Sequence, residues 1–540
     1  MTPRTPSLLV ATLLMMSSIL SGSRLSASPW TVDDLILAEG LGDWTVAPDG
    51  LSVIWVRTTI TEVEGEEKPV SNLWRSRLEG GPPTALTRSN DRLASPAYSP
   101  DGRFLAFLSD RKPPGKTDED RGEQQVWVLP VDGGEAYPAT DLDRSVSAFD
   151  WIGNDALVVL APESPSAWER ERKQLKDKTI VVDDLDREPP TRLFRVSLGE
   201  EITRLTTNRR WISSLAAAFD GRHAVVTVQQ DLKYSFDEKN RPLTYLVDLE
   251  SGAMERLFEG EERLPSQVRW APDSSGFYFV DELTTHPRYR QATIRELYFY
   301  DLDGNRTSKV GLDWPRGLGS EYLPLADGVL VLLEDGVAYR PAKISRDGAS
   351  WSRRDLDGER AERIRGWRLS RDGRTLAFLH STATRPPQLF GARLEGSGLR
   401  NVRQLSDLNA GFADKPTGQV EVIHFPGAGG DSVEALLHYP LDWPKNKAPS
   451  PAARRPLVLD IHGGPAGTDR DFWDQRWSGP LLLYRQRGAF VLQVNYHGSA
   501  GYGLEWVESI AERYYEQERV DLEAGVDHLV DQGLVDPERL

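Results

Sequence analysis

The residues with the clearest chemical potential follow an apolar run of strand length. Residues 457–461 read Leu-Val-Leu-Asp-Ile, and they lead directly into His462-Gly463-Gly464-Pro465. A glycine pair after a buried strand can turn sharply and expose backbone N–H groups. Such groups stabilise the oxyanion that develops in acyl-transfer reactions, so the sequence predicts one half of an oxyanion hole here.

The other half of such a site normally lies beside a G-x-S-x-G serine, and that motif does not occur between Met1 and Leu540. The nearest string, residues 497–501 (His-Gly-Ser-Ala-Gly), has the wrong spacing and follows a different predicted strand. The sequence thus indicates acyl-transfer chemistry, and we predict no catalytic nucleophile, acid or base within these residues.

Composition excludes several other classes of function. The net charge of −17 without a long basic stretch argues against nucleic acid as a partner. The absence of cysteine rules out a thiol nucleophile, thiolate metal sites and a lipoprotein anchor. Eight scattered histidines without an H-E-x-x-H motif give no support for a metal site, and we predict no cofactor.

The N-terminus predicts export to the periplasm or the medium. Arg4 precedes roughly 13 mostly apolar residues and then several small residues, which is the pattern of a signal peptide at residues 1–27. We expect cleavage between Ser23 and Ser28; an uncleaved anchor is the alternative. A membrane span needs about 20 apolar residues, and no later segment has them, so we expect no stable membrane insertion.

A turn-and-strand unit recurs between residues 43 and 414. Its clearest copy is residues 98–107 (Tyr-Ser-Pro-Asp-Gly-Arg-Phe-Leu-Ala-Phe), in which a Pro-Asp-Gly turn leads into a strand. Further turns occur near Asp49, Asp273 and Asp372, with weaker ones near Gly153, Asp220 and Asp327. Four short strands per period of about 50 residues is typical of a β-propeller. We predict seven blades, with six or eight as alternatives, and charged insertions at 112–123 and 163–190; the second is either a solvated excursion or a lid.

From residue 415 the pattern changes. Residues 420–425 and 433–439 predict an antiparallel hairpin, and a Pro-rich linker at 442–456 precedes the apolar strand at 457–461. A second apolar strand covers 489–496, and a helix covers 518–532 with Val520, Ala524, Val526, Leu529 and Val530 as its apolar positions. Strands that alternate with helices predict a parallel sheet, here the N-terminal part of an α/β-hydrolase domain.

Together these features resemble the prolyl oligopeptidase family of serine peptidases, in particular its acylaminoacyl-peptidase and dipeptidyl-peptidase-like branch. The resemblance rests on residues 31–35 with Asp43-Trp44, on the His462-Gly463-Gly464-Pro465 loop, on residues 495–503 (Asn-Tyr-His-Gly-Ser-Ala-Gly-Tyr-Gly), and on residues 521–539. It covers residues 28–42 as an N-terminal segment, the propeller at 43–414 and the hydrolase portion at 415–540. His497 departs from the pattern, since arginine is usual there and is expected to form a salt bridge that supports the loop.

The resemblance implies that Gly464 N–H is one oxyanion donor, with His462, Gly463 and Pro465 as supporting loop residues. It also implies a serine peptidase that acts on short peptides, with its nucleophile, acid and base after the last of these residues. We therefore expect the chain to be the N-terminal portion of a longer reading frame and to be inactive by itself. Two alternatives remain: a propeller that binds a partner beside a degenerate hydrolase portion, and an esterase on the same fold.

Overall fold

The computed structural model describes residues 28–113, 123–179, 184–237, 239–287, 291–348, 350–444, 454–464 and 466–540. The predicted signal peptide, most of the predicted 112–123 insertion, part of the 442–456 linker and Pro465 lie outside the described residues. None of the helices in the described ranges is both long and apolar enough to cross a membrane.

Seven small sheets succeed one another through the described part of residues 40–404, and we number them sheets 1 to 7. Sheets 1 to 6 each have four antiparallel strands in chain order. In sheet 7 four antiparallel strands are joined by the short β25, which pairs in parallel with β29. The strands of sheets 1 to 3 are β1 Gly40–Val46, β2 Ser52–Val63, β3 Glu66–Arg77, β4 Thr84–Ala85, β5 Leu93–Tyr98, β6 Phe104–Ser109, β7 Gln125–Pro130, β8 Tyr137–Pro138, β9 Ala148–Trp151, β10 Ala156–Pro162, β11 Thr191–Ser197 and β12 Thr203–Arg204. Those of sheets 4 to 7 are β13 Trp211–Ala217, β14 His223–Gln229, β15 Leu243–Asp248, β16 Met254–Arg256, β17 Ser266–Trp270, β18 Gly276–Leu283, β19 Ile294–Asp301, β20 Arg306–Lys309, β21 Leu318–Leu325, β22 Gly328–Asp335, β23 Ala338–Asp347, β24 Ser350–Asp355, β25 Asp357–Gly358, β26 Ile364–Leu369, β27 Thr375–Thr382, β28 Arg385–Glu395 and β29 Gly398–Gln404.

Each of the seven predicted turns lies between the first and second long strands of a separate sheet. In the clearest copy, Ser99 Oγ donates to Asp101 Oδ1 (2.7 Å) and Arg103 N–H donates to the same oxygen (3.1 Å). Gly102 closes the turn with φ +76°, a conformation that a residue without Cβ adopts easily. Side-chain acceptors and a permissive glycine therefore explain why the Pro-Asp-Gly copies of this motif start a strand pair.

The sheets are arranged in a closed ring about their first strands. First strands of neighbouring sheets contact each other at five of the six junctions from sheet 1 to sheet 7, and β1 of sheet 1 also contacts β26 of sheet 7. At the remaining junction, between sheets 2 and 3, Trp151 Nε1–H donates to Ala97 O (3.0 Å). A tryptophan near the end of the first strand ties some neighbours together: Trp270 Nε1–H donates to Ala216 O (2.9 Å), and Trp44 Nε1–H donates to Ala377 O across the junction of sheets 1 and 7 (3.3 Å). The first part of the chain is thus a β-propeller.

An eighth sheet follows, in the order β30-β31-β33-β32. The predicted hairpin is confirmed as an antiparallel pair, and β32 runs parallel to β33. These four strands are β30 Val420–Pro426, β31 Ser432–His438, β32 Leu457–Asp460 and β33 Phe490–Asn495. With a helix on one face, this sheet has the strand-and-helix arrangement predicted for the hydrolase portion.

Six helices accompany the sheets in the described residues: α1 Val32–Ile36, α2 Ala167–Gln174, α3 Tyr234–Asp237, α4 Leu481–Gln486, α5 Leu504–Glu508 and α6 Gln517–Asp531. Short 3-10 turns cover Ala410–Phe412 and Ala428–Gly430. The predicted 518–532 helix is α6, but the prediction that Val520 faces the core is wrong, because this side chain is 37% exposed. Asp521 and Gly525 face inward instead, since Asp521 binds two backbone N–H groups and Gly525 gives room to Phe425.

Candidate active site

The loop after β32 holds Gly464 in a conformation that only glycine tolerates. Gly464 has φ +139°, and a Cβ atom there would lie 2.4 Å from Gly467 N and 3.0 Å from Ala466 N. Gly463 and Gly464 are both exposed, and within the described ranges neither backbone N–H donates to another group. The loop thus presents unused donors at the end of a parallel strand, as an oxyanion site requires.

His462 anchors this loop rather than facing a substrate. Its ring stacks on Tyr496 at 4.4 Å between centroids, and Tyr496 O–H donates to His462 O (2.5 Å). Burial lowers the pKa of His462, so the ring is neutral near pH 7. The supporting role of His462 stays a prediction, and Pro465 lies outside the described residues.

His462 also contacts a serine that the sequence analysis set aside. His462 Nε2 lies 3.0 Å from Ser499 Oγ, a distance found in catalytic Ser–His pairs. Ser499 is fully buried, however, and the other ring nitrogen of His462 faces Tyr496 Oη and Gly463 O rather than a carboxylate. A nucleophile needs access to substrate, so this pair joins two loops and does not form a dyad.

The end of β33 and the segment after it bind the residues that follow the glycine loop. Asp469 N–H donates to Asn495 Oδ1 (2.8 Å), and Asn495 Nδ2 donates back to Asp469 O (3.0 Å). Ala500 N–H donates to Gly467 O (3.2 Å), and Thr468 Oγ1 donates to Ala500 O (2.8 Å). Four hydrogen bonds therefore fix residues 467–469 against residues 495–500.

His497, where arginine is usual in the family, forms a buried ion pair with helix α6. Its Nδ1 lies 2.7 Å from Asp521 Oδ2, and its Nε2 lies 3.4 Å from Asp431 Oδ2. The ring stacks on Trp506 at 3.9 Å. Burial alone would lower the pKa of His497, but the hydrogen bond and charge of Asp521, helped by Asp431, outweigh it and raise the pKa. The histidine thus makes the salt bridge that the resemblance assigned to arginine.

The site also contains a carboxyl group that is easily protonated. Burial, together with the charge of Asp460 and then of Asp474, raises the pKa of Asp469 to about 7. Gln493 Nε2 bridges the two closest carboxylates, at 2.9 Å from Asp460 Oδ2 and 3.4 Å from Asp469 Oδ1. No group of three or more histidine or acidic side chains with the geometry of a metal site occurs in the described part of the chain.

Directly after the glycine loop, Arg470 binds the propeller. Its Nη2 lies 2.6 Å from Glu334 Oε2, and both side chains are largely buried. Its Nη1 donates to Gly336 O (3.0 Å) and Ala338 O (3.2 Å), at the turn between β22 and β23. We call this turn, residues 336–337, the sheet-6 tip.

The remaining backbone groups of the sheet-6 tip also bind the hydrolase portion. Val337 O accepts from Asp471 N–H (2.8 Å), and Val337 N–H donates to Glu434 Oε1 (2.9 Å). Gly336 N–H donates to Gly501 O (3.0 Å). Sequence reasoning missed these contacts, because nothing local in residues 334–338 or 470–471 distinguishes them from solvated loops.

A second contact between the two parts involves helix α5. Glu508 Oε1 accepts from Thr284 Oγ1 (2.8 Å), Thr285 N–H (2.5 Å) and His286 N–H (3.1 Å), and its Oε2 accepts from Thr285 Oγ1 (2.7 Å). These bonds lower the pKa of Glu508 against the opposing effect of burial, which is the largest single influence. The carboxylate is therefore charged and fixes α5 to the loop after β18.

The outer edge of β32 is only partly covered. Leu457 N–H donates to Arg539 O (3.0 Å), and Arg455 exchanges backbone hydrogen bonds with Leu534 and Asp536 (3.0 Å each). No described strand pairs with the rest of this edge, and Ile461 beyond it is 54% exposed. The chain segment after α6 therefore approaches β32 on the side where one further parallel strand would fit.

Comparisons with known proteins agree with this arrangement. Residues 474–540 match the model of the prolyl oligopeptidase family. The chain is 25% identical to the uncharacterized peptidase YuxL of Bacillus subtilis, over 94% of this chain and 77% of that protein. It is 19% identical to dipeptidyl-peptidase 5 of Porphyromonas gingivalis, over 93% of this chain and 72% of that protein.

The fold has solved counterparts. The acylaminoacyl peptidase of Pyrococcus horikoshii superposes with a TM-score of 0.69 at 19% sequence identity, covering 95% of this chain and 74% of that one. At this identity the likeness establishes the fold, a propeller followed by a hydrolase domain. Together with the family model and the sequence relatives, it confirms the predicted resemblance of this chain to the prolyl oligopeptidase family of peptidases.

Proposed function

We propose that this chain is the propeller and oxyanion-loop portion of a serine-type peptidase that hydrolyses short peptides. The observation that carries the proposal is the loop at Gly464, with free and exposed N–H groups at the end of a parallel strand. A donor in this position contributes about 3 kcal/mol to stabilisation of the tetrahedral oxyanion.

The chemistry proposed is acyl transfer through a covalent intermediate. A serine attacks the scissile carbonyl, a histidine accepts its proton, and an aspartate orients the histidine. We propose that sequence following Leu540 supplies these residues and that the nucleophile strand pairs with the open edge of β32. The 540-residue chain is then inactive by itself, because an oxyanion donor without a nucleophile forms no acyl-enzyme.

The propeller is proposed to restrict which substrates reach this site. We propose that the seven sheets are seven blades and that their ring covers the hydrolase face, so that only short or unfolded peptides enter. The fixed contacts of Arg470 and Glu508 with sheets 5 and 6 support a stable cover on that side.

Export is part of the proposal. Cleavage between Ser23 and Ser28 would leave Trp30, which is 2% exposed and donates from Nε1 to Pro416 O (2.7 Å). Its backbone also exchanges hydrogen bonds with the side chain of Gln486, at 2.6 and 2.9 Å. The proposed mature chain thus begins just before a segment that docks on the hydrolase portion.

The experiment is to read the coding DNA beyond the codon for Leu540 and to express the complete protein. We expect the further coding sequence to specify a strand and a G-x-S-x-G serine. A fluorophosphonate probe should label that serine in the complete protein and leave the 540-residue chain unlabelled. Turnover of an N-blocked peptide anilide as well as a simple ester supports a peptidase, and turnover of the ester alone supports an esterase. A stop codon directly after Leu540 contradicts the proposal and favours a binding role for the propeller.

A further inference from the structure

A cluster of charged side chains lies on the first strands of sheets 5, 6 and 7. Arg368 of β26 pairs with Glu321 of β21, with Nη1 at 3.1 and 3.3 Å from the two carboxylate oxygens. Glu321 Oε2 also accepts the Trp367 N–H (3.0 Å). The single carboxylate of this cluster is therefore fully engaged by sheet 7.

Arg269 of β17 belongs to the same cluster but has no such partner. Its guanidinium lies over the ring of Tyr322 at 5.6 Å, and among the described residues it has no hydrogen bond or ion pair. Burial lowers the pKa of Arg269, and the positive charge of Arg368 lowers it further. The guanidinium nitrogens of Arg269 therefore have no partner in the described chain, but they keep some solvent-accessible surface.

The positions of these residues place the cluster at the axis of the ring. Sheets 5 and 7 are not neighbours, since sheet 6 separates them. Arg269 on sheet 5 nevertheless interacts with Arg368 on sheet 7, whose guanidinium in turn lies 5.1 Å from the ring of Trp44 on sheet 1. Side chains from sheets 5, 6, 7 and 1 meet only where the first strands surround the central axis.

A third arginine connects this cluster with the hydrolase portion. Arg365 lies three residues before Arg368 on β26, a separation of about 10 Å along a strand. Its guanidinium lies 5.0 Å from the ring of Phe472, which follows the glycine loop closely in sequence. Burial lowers the pKa of Arg365 against the opposing influences of Tyr339 and Asp474, and its side chain has no hydrogen bond or ion pair within the described ranges. Positive charge therefore runs from the hydrolase side into the axis.

We propose that Arg269, with Arg368 beside it, binds a carboxylate in the axis of the propeller, and that this carboxylate is the free C-terminus of a short peptide. A guanidinium presents a planar pair of donors that matches a carboxylate, and partial removal from water strengthens such a bond. Glu321 is engaged by Arg368, and Asp474 faces Arg365, so within the described residues Arg269 is left without an ion-pair partner. The peptide assignment rests on the proposed function, whereas the anion site does not.

The test measures binding to the 540-residue chain, which requires no turnover. The probes are N-acetyl-glycyl-phenylalanine, its C-terminal amide, and sodium sulfate at constant ionic strength, each followed by calorimetric titration. We expect the acid to bind and the amide not to bind. Arg269→Met should weaken binding of the acid by about tenfold or more. Arg269→Lys should have an intermediate affinity, because lysine keeps the positive charge but lacks the planar pair of donors of the guanidinium. Arg346→Met is the matched control, since this guanidinium also lies over aromatic rings but on β23 beside Phe299 (5.3 Å).

The outcomes distinguish an anion site from a purely structural role of Arg269, and they test separately whether the anion is a peptide C-terminus. Arg269→Met should melt at the same or a higher temperature than the unsubstituted chain, because no partner is lost; a clear drop would overturn the proposal. Equal binding of acid and amide, or equal binding by the Met variant, would also overturn it. Sulfate that competes with the acid and binds as tightly would keep the anion site and overturn the peptide assignment. Acid binding without peptidase activity in the complete protein would reject the proposed function and leave the site standing.

Discussion

Substitution of Gly336 by alanine tests whether the sheet-6 tip is locked against the hydrolase portion. A Cβ at this position would lie 2.3 Å from Glu434 Oε1. That oxygen cannot move freely, because it accepts from Val337 N–H (2.9 Å) and Tyr502 O–H (2.7 Å), while Oε2 lies 3.2 Å from His424 Nε2. The new methyl group must therefore displace a carboxylate that is held at three points.

The expected loss of unfolding free energy in Gly336→Ala has two parts. Gly336 has φ +61°, and an alanine in this left-handed region costs about 1–2 kcal/mol wherever it occurs. Overpacking against Glu434 adds about 1–3 kcal/mol. Gly348 provides the matched control, since it lies in the next turn of the same sheet at φ +58° with no atom within 4 Å of its Cβ position.

We expect Gly348→Ala to lose unfolding free energy only through the backbone conformation. Gly336→Ala should lose it through both the backbone conformation and the overpacking against Glu434. The assay is urea unfolding followed by tryptophan fluorescence, with the free energy of unfolding compared between the two variants. Hydrogen exchange of residues 464–471 should accelerate in Gly336→Ala alone, because Arg470 and Asp471 bind the same tip. Equal losses in the two variants, with unchanged exchange at 464–471, would refute the reasoning.

Three further perturbations follow from the contacts described. The raised pKa of His497 means that its ion pair stabilises the fold fully below about pH 6.5 and loses that contribution as pH rises through the folded pKa. Urea unfolding at pH 6 and pH 8.5 should show this loss, and His497→Arg should make it smaller; the ionisation of Asp469, whose pKa is raised to about 7, still lowers stability over the same range. Trp30→Ala should cost about 3–5 kcal/mol of unfolding free energy, and a loss below 1 kcal/mol would mean that the N-terminal segment is not docked. Glu508→Gln should speed amide exchange at residues 284–286, with exchange at 336–338 unchanged as the internal control.

The strands and turns of this chain were predictable because their signals are local. A Pro-Asp-Gly turn organises its own backbone through Asp101 and Gly102, without help from distant residues. The hairpin at β30 and β31, the apolar run of β32 and the extent of α6 were predicted from sequence to within one or two residues. The glycine pair was equally readable, since Gly464 has a conformation that its sequence context already required.

The inward face of α6 was not predictable from apolar pattern alone. Val520 was expected inside, yet Asp521 occupies that position and is fully buried. The carboxylate is accommodated because Ala428 N–H, His497 N–H and the His497 ring all bind it. An acidic residue beside an unusual histidine is a signal for such a pair, but only the fold brings residues 497 and 521 together.

The contacts that join the two parts of the molecule were invisible in sequence for a related reason. Arg470 and Glu334 are 136 residues apart, and each has the composition of an ordinary surface position. Burying one of them without the other would leave an unpaired charge, which costs several kcal/mol, so both must be buried together. Pairs of this kind are specified by the assembled fold and carry no periodic or local pattern.

The position of the glycine loop therefore depends on the propeller as well as on the strand that precedes it. Gly464 is fixed at one end by β32 and His462, and at the other by residues 467–469, which bind the segment after β33. Arg470 and Asp471 then attach the loop to the sheet-6 tip within two residues. A movement of sheet 6 away from the hydrolase portion would act on this short segment and also on β31, whose Glu434 accepts from Val337 N–H. The glycine loop is thus coupled to the propeller through residues 470–471, and its position is set from both sides.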